Sequence, residues 1–220
     1  MIGVYGGTFD PVHFGHLRAA LEVYQGLRLR EMRLIPCYQP PHREPPVADA
    51  RARLTMLRAA VGDDTEGLKV DNREMRREGV SYMVDTLAEL REELGDEPIC
   101  LVLGADAFCQ LHTWHRWQEI LGLTHLVVTH RPGWTLDAGS LDPALAQLWR
   151  EARVEAGDAL AAAPAGHILQ FTVTALDISA TRIRAMVARG ESPRFLLPEK
   201  VWNLIRLQGL YHIKRDVDEY

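Results

Sequence analysis

Apolar residues in this chain fall in short continuous runs separated by longer amphipathic stretches. IGVY at 2–5 is apolar and leads into glycines, which predicts a buried strand. Residues 14–26 carry Leu17, Leu21 and Tyr24 at helical spacing. MRLIP at 32–36 predicts a second strand. QPPHREPP places four prolines in eight residues and predicts a loop. In residues 50–61, Ala50, Leu54, Leu57 and Val61 recur at steps of four, three and four. That spacing draws an apolar stripe on one helix face, with Arg51, Arg53 and Arg58 off it. A short strand follows at 68–71. Ser81 is placed to cap a helix running to Leu94 through Val84, Leu87 and Leu90.

ICLVLG at 99–104 is apolar throughout and ends in glycine, and HLVVTH at 125–130 resembles it. Continuous apolarity suits a parallel strand covered on both faces. A short helix is expected at 107–111. Residues 133–166 are rich in glycine, alanine and proline, with a helical middle. ILQFTV at 168–173 is a further strand, and 179–189 and 198–208 read as closing helices. Strand alternating with helix is the α/β pattern. Gly6-Gly7, Gly104-Ala105-Asp106 and Ile178-Ser179 each lie just past a predicted strand end, the edge where such sheets bind ligands.

Composition narrows the partners. The chain has 220 residues, within the length of one domain, and a formal net charge of −5. That balance gives no support for a nucleic-acid partner, so any phosphate recognition must be local. Cys37, Cys100 and Cys109 form no CxxC pair, which points to reduced thiols and a cytoplasmic protein. The first strand starts almost at Met1, so no targeting segment is expected. No apolar run approaches the ~20 residues that span a bilayer, so no membrane partner is expected.

The candidate chemistry begins in GVYGGTFDPVHFGHLRAA. Gly6 and Gly7 let main-chain amides approach a ligand closely. The helix that follows offers free N–H groups and a partial positive charge at its start. His13 and His16 share one helix face and can donate to phosphate oxygens, more strongly if protonated. The glycines match neither GxGxxG nor the Walker loop. A zinc site needs a third ligand, with Asp10 nearby. Cys109, His112 and His115 form C-x2-H-x2-H, a spacing that leaves a second metal reading open.

GGTFDPVHFGHL resembles the HxGH signature of the nucleotidyltransferases, and ISATRIR at 178–184 resembles their second signature, ISxTxIR. PPHR (40–43), SYMVDTL (81–87), GADAF and WHRW within 104–117, RPG (131–133) and LPEKVWNLIRLQGLY (197–211) resemble bacterial nicotinate-mononucleotide adenylyltransferases. The resemblance implies a single nucleotidyltransferase domain over 1–220. Its fold would be a Rossmann-like doubly wound parallel sheet with helices on both faces and a small C-terminal helical part from about residue 179. It implies adenylyl transfer from ATP, with Mg2+, to nicotinate mononucleotide, in NAD biosynthesis. His13 and His16 would be catalytic. Gly7, Thr8, Phe9, Asp106, Ser179, Thr181 and Arg184 would bind ATP, with Arg184 preferred over Arg182. His42, Arg43, Tyr82, Met83, Trp114, His115 and Arg131 would bind the mononucleotide, with Trp114 rather than Trp117 stacked on the pyridine. Met83 stands where the family commonly has threonine. Nicotinamide mononucleotide and phosphopantetheine are alternative acceptors, and a nucleotide-binding regulator without turnover is an alternative class. The oligomeric state stays open.

Overall fold

A computed structural model describes residues 1–41, 45–62, 65, 67–77, 79–133, 136–174 and 176–212. The chain runs β1 (Ile2–Gly7), α1 (Phe14–Gly26), β2 (Glu31–Pro36), α2 (Ala50–Val61), β3 (Leu68–Val70), α3 (Arg73–Arg76) and α4 (Met83–Leu94). It continues with β4 (Ile99–Gly104), α5 (Ala105–Cys109), α6 (Trp117–Leu123), β5 (His125–His130), α7 (Pro143–Ala152), β6 (Arg153–Val154) and α8 (Asp158–Ala161). It closes with β7 (Ile168–Thr172), α9 (Ala180–Ala188) and α10 (Glu199–Leu207). The strands form one parallel sheet in the order β3-β2-β1-β4-β5-β7-β6.

Why the central strands lack alternation is visible in β4. Ile99, Leu101 and Leu103 enter one core, against Val84, Leu87 and Leu90 of α4. Cys100 and Val102 enter the other, with Leu57 of α2 and Ile205 of α10. Both faces of the strand are therefore buried, and each such side chain contributes about 1.5–3 kcal/mol. This is the Rossmann-like α/β sheet with helices on both faces and a C-terminal helical part. The chain winds outward from β1 to β3, then returns to β4 beside β1 and winds the other way. The β1/β4 junction is the switch point, and a cleft opens past its carboxyl ends.

Several local expectations need correction. The stripe on α2 is rotated from the predicted one: Ala52, Arg53, Met56, Leu57 and Val61 are buried, and Arg53 is inside rather than off the face. Ser81 does not cap α4. Tyr82 takes the N-cap position, and the Ser81 hydroxyl accepts the Tyr38 N–H at 2.9 Å. The helix expected at 107–111 starts at Ala105, with Gly104 as its N-cap, which puts Asp106 inside the first turn. The short elements α3, α6, α8 and β6 carry too few residues to show a period. No helix among the described residues is long and apolar enough to cross a membrane.

Candidate active site

The turn between β1 and α1 is shaped by close contacts. A Cβ on Gly6 would lie 2.3 Å from the Met83 Cε, so a larger residue there would push the flexible end of that thioether off the strand. A Cβ on Gly7 would press on the Phe9 ring at 3.1 Å. Phe9 itself is 2% exposed and left-handed, at φ 49°. That conformation is costly for a bulky residue and persists because its surroundings hold it. The holders are edge-on rings, Tyr5 at 6.1 Å and His16 at 5.1 Å between centroids.

His13 caps α1, and His16 lies one turn in. Their rings stack at 3.7 Å between centroids, inclined by 23°. His16 Nδ1 accepts the His13 main-chain N–H at 3.3 Å. That bond assigns the His16 proton to Nε2, as a donor. Burial pulls the His13 imidazole down to about 4. Burial, and then the neighbouring His13, hold His16 well below its ordinary value. Both rings are therefore neutral near pH 7 before any ligand arrives, not charged. The buried Nδ1 of His13 has no hydrogen-bond partner among the described residues.

Asp10 anchors the turn from behind. Its carboxylate accepts from the Val47 and Ala48 amides at 2.8 and 3.2 Å and from the Tyr211 hydroxyl at 2.6 Å. Burial, followed by this carboxylate, pushes the Tyr211 phenol well above its ordinary range, so it stays a donor. Arg184 Nη1 donates to the Asp10 carbonyl at 2.7 Å, and Nη2 to Thr181 Oγ1 at 3.3 Å. The second motif is thereby joined to the first. Ser179 caps α9 by accepting the Arg182 N–H at 3.2 Å.

These elements enclose a cavity of about 750 Å³ at the switch point. Gly7, Thr8, Phe9 and His16 line one part, and Thr181 and Arg184 another. Tyr82, Met83, Trp114 and His115 also line the cavity, and the Tyr82 and His115 rings lie 4.2 Å apart. His13 stands behind His16. Trp114 and Trp117 both pack against the core, but only Trp114 is also on the wall. Arg182 turns outward toward Asp177 at 4.0 Å. Asp106 and Arg131 are not brought to the wall. Asp106 is exposed, and Arg131 faces Asp177 at 3.6 Å. His42 and Arg43 lie outside the described residues.

Among the described residues no group of three or more His, Cys, Asp or Glu could hold a metal ion, so the C-x2-H-x2-H spacing does not converge. The wall also contains Glu74, 2% exposed, which the Thr86 hydroxyl donates to at 2.6 Å. Burial pushes its carboxyl up. Glu74 is marked by no motif, and Asp10, though inside GGTFDPVHFGHL, reads there only as a third metal ligand and not as the anchor of the turn. Their partners lie on remote segments, so a local pattern carries no trace of them.

A family model described as cytidylyltransferase-like matches residues 4–186. A protein of Methylococcus capsulatus named probable nicotinate-nucleotide adenylyltransferase is 51% identical over 211 residues, covering 96% of this chain and 99% of its own. One of the same name from Acidithiobacillus ferrooxidans is 52% identical over 208 residues, covering 94% of each chain. Among solved structures, a Plasmodium falciparum nicotinic acid mononucleotide adenylyltransferase complexed with NaAD superposes with a TM-score of 0.71 over 96% of each chain. At 14% identity that likeness speaks to the fold.

Proposed function

This chain belongs to the nicotinate-nucleotide adenylyltransferase family, and from that premise we propose that it transfers the adenylyl group of ATP to nicotinate mononucleotide. The products are nicotinate adenine dinucleotide and pyrophosphate, in NAD biosynthesis. A phosphate oxygen of the mononucleotide attacks the α-phosphorus of ATP. The new P–O bond forms as the bond to the β-phosphate oxygen breaks, and pyrophosphate leaves. With a second pKa near ~6 the attacking phosphate is mostly dianionic at pH 7, so no base and no covalent enzyme intermediate are required. The barrier is repulsion between polyanions, which positioning and oriented donors lower.

The observation that carries this reading is the stacked His13–His16 pair at the switch-point cavity, tied through Asp10 to Arg184 of the second motif. His16 offers Nε2–H to the α-phosphoryl oxygens, with His13 behind it. Gly7, Thr8 and Phe9 shape the turn around the triphosphate, and Ser179, Thr181 and Arg184 bind its distal phosphates. Trp114 stacks on the pyridine, and the main chain at Tyr82, Met83 and His115 meets its carboxylate. A main-chain contact tolerates methionine at position 83. Asp106, Arg131, His42 and Arg43 are assigned to substrate by resemblance alone. Magnesium enters with ATP as part of the substrate and offsets the phosphate charge, since the carboxylates of Asp10 and Glu74 are already engaged within the protein. Three free cysteines fit a reducing compartment, the cytoplasm.

The test is pyrophosphate release with ATP and each of nicotinate mononucleotide, nicotinamide mononucleotide and phosphopantetheine. Turnover is expected to be fastest with nicotinate mononucleotide. No turnover with either pyridine nucleotide rejects the reading.

A further inference from the structure

Arg53 stands on α2, outside the cavity wall, and is 1% exposed. Its guanidinium donates four hydrogen bonds, all to main-chain carbonyls. Nε donates to Ala48 at 3.2 Å, Nη1 to Thr8 at 2.8 Å and to Cys37 at 2.7 Å, and Nη2 to Tyr38 at 2.9 Å. These carbonyls belong to three separate segments. Thr8 lies in the phosphate turn. Cys37 and Tyr38 lead from β2 into the proline-rich loop. Ala48 adjoins the amide that holds Asp10.

We infer that Arg53 is a positioning residue that holds the ATP-side turn and the mononucleotide-side segment at one fixed separation, so that the attacking phosphate and the α-phosphate meet in line. The inference rests on the adenylyl-transfer reading above. The geometry suits a guanidinium alone. Its donors diverge in one rigid plane, whereas a lysine directs three donors from a single nitrogen. An apolar replacement would leave buried carbonyls without donors. Neither substrate needs to touch Arg53 for its loss to be felt, because a displacement of about 1 Å can cost about 100-fold in rate.

The chain supplies its own control. Arg91 on α4 likewise donates to carbonyls, those of Gly95, Glu97, Leu123 and Pro164. They lie at the opposite edge of the sheet, and none lines the cavity.

Arg53→Lys and Arg91→Met are compared with the natural protein by saturating pyrophosphate-release kinetics, by the Kd of each substrate alone, and by Tm. Arg53→Lys is expected to lose kcat by about 100-fold while each Kd rises by less than about tenfold. Arg91→Met is expected to lower Tm at least as far and to keep kcat within about threefold. If Arg53→Lys loses no more kcat than Arg91→Met does, the inference is overturned. Should Arg53→Lys not fold, the natural protein decides. The guanidinium 15N resonances of Arg53 are expected to shift with α,β-methylene ATP alone and with nicotinate mononucleotide alone. A response to only one ligand, or to neither, overturns the coupling. If the natural protein turns over no pyridine mononucleotide, the reaction reading fails by that result, and the two ligand-induced shifts still decide the role of Arg53.

Discussion

Neither imidazole of the stacked pair is charged before nucleotide arrives. Burial draws His13 to about 4 and His16 well below its ordinary value, with His13 adding to the second shift. A bound polyphosphate reverses the balance, because nearby negative charge favours the cationic imidazole. Between about pH 4 and about 6.5, ATP binding should therefore take up protons, and affinity should strengthen as pH falls. Calorimetry at pH 5.5 in two buffers of different ionisation enthalpy reads the uptake directly. In His16→Ala the uptake should fall and kcat should drop by about 10²–10³, with ATP affinity reduced by no more than about tenfold. Uptake and rate both unchanged in that variant would remove His16 from the transfer step.

At the scale of the element, α9 links a cap to a binding face. The Ser179 side chain satisfies one free N–H at the helix start, and Thr181 and Arg184 project from the turn it secures. Ser179→Ala should cost about 1 kcal/mol of stability. Because the same turn presents Thr181 and Arg184, which we propose bind the distal phosphates, the KM for ATP should rise while the KM for the mononucleotide holds. A Tm loss with both KM values unchanged would make Ser179 a cap alone. Element identity followed from pattern wherever burial was one-sided or complete. α1, β4 and β5 have their predicted bounds because their apolar periods are unbroken. α2 has its predicted bounds but a different buried face, since a buried arginine reads as polar although its head is satisfied by carbonyls. α6 starts at a left-handed Arg116, φ 50°, which no local signal announces. In the site, the glycines, the histidines and the Ser179–Arg184 motif are short-range features and were legible. The bonds of Arg53 to Thr8, Cys37 and Tyr38, and the Asp10–Tyr211 bond, join residues 15 to 201 positions apart. Only the folded chain brings them together.

Across the whole molecule, neutral histidines sit at both edges of the sheet, and this sets its response to acid. At the amino edge, His125 is buried. Its Nδ1 accepts the His167 N–H at 3.1 Å, which leaves Nε2–H to donate to the Ala163 carbonyl at 2.8 Å. Burial lowers its pKa, with His167 adding to the effect. At the carboxyl edge stand His13 and His16. Each folded pKa lies below the unfolded value of about 6.5, so the unfolded chain binds more protons and stability falls as pH drops through about 6.5 toward 4. Glu74 acts the other way: its raised carboxyl gains stability as pH falls through its folded pKa. Glu22, Glu31 and Glu93, all lowered, act only below their ordinary range, near 4.5 and under. The Tm of the free protein should therefore decline from pH 7 to 5, before those carboxylates protonate. Saturating α,β-methylene ATP should flatten the decline, because bound phosphates welcome the protons at His13 and His16. The remaining slope combines His125, which lies off the cavity wall, with the opposing contribution of Glu74. A Tm constant from pH 7 to 5 without ligand would contradict neutral burial at both edges. A slope unaltered by nucleotide would remove His13 and His16 from it.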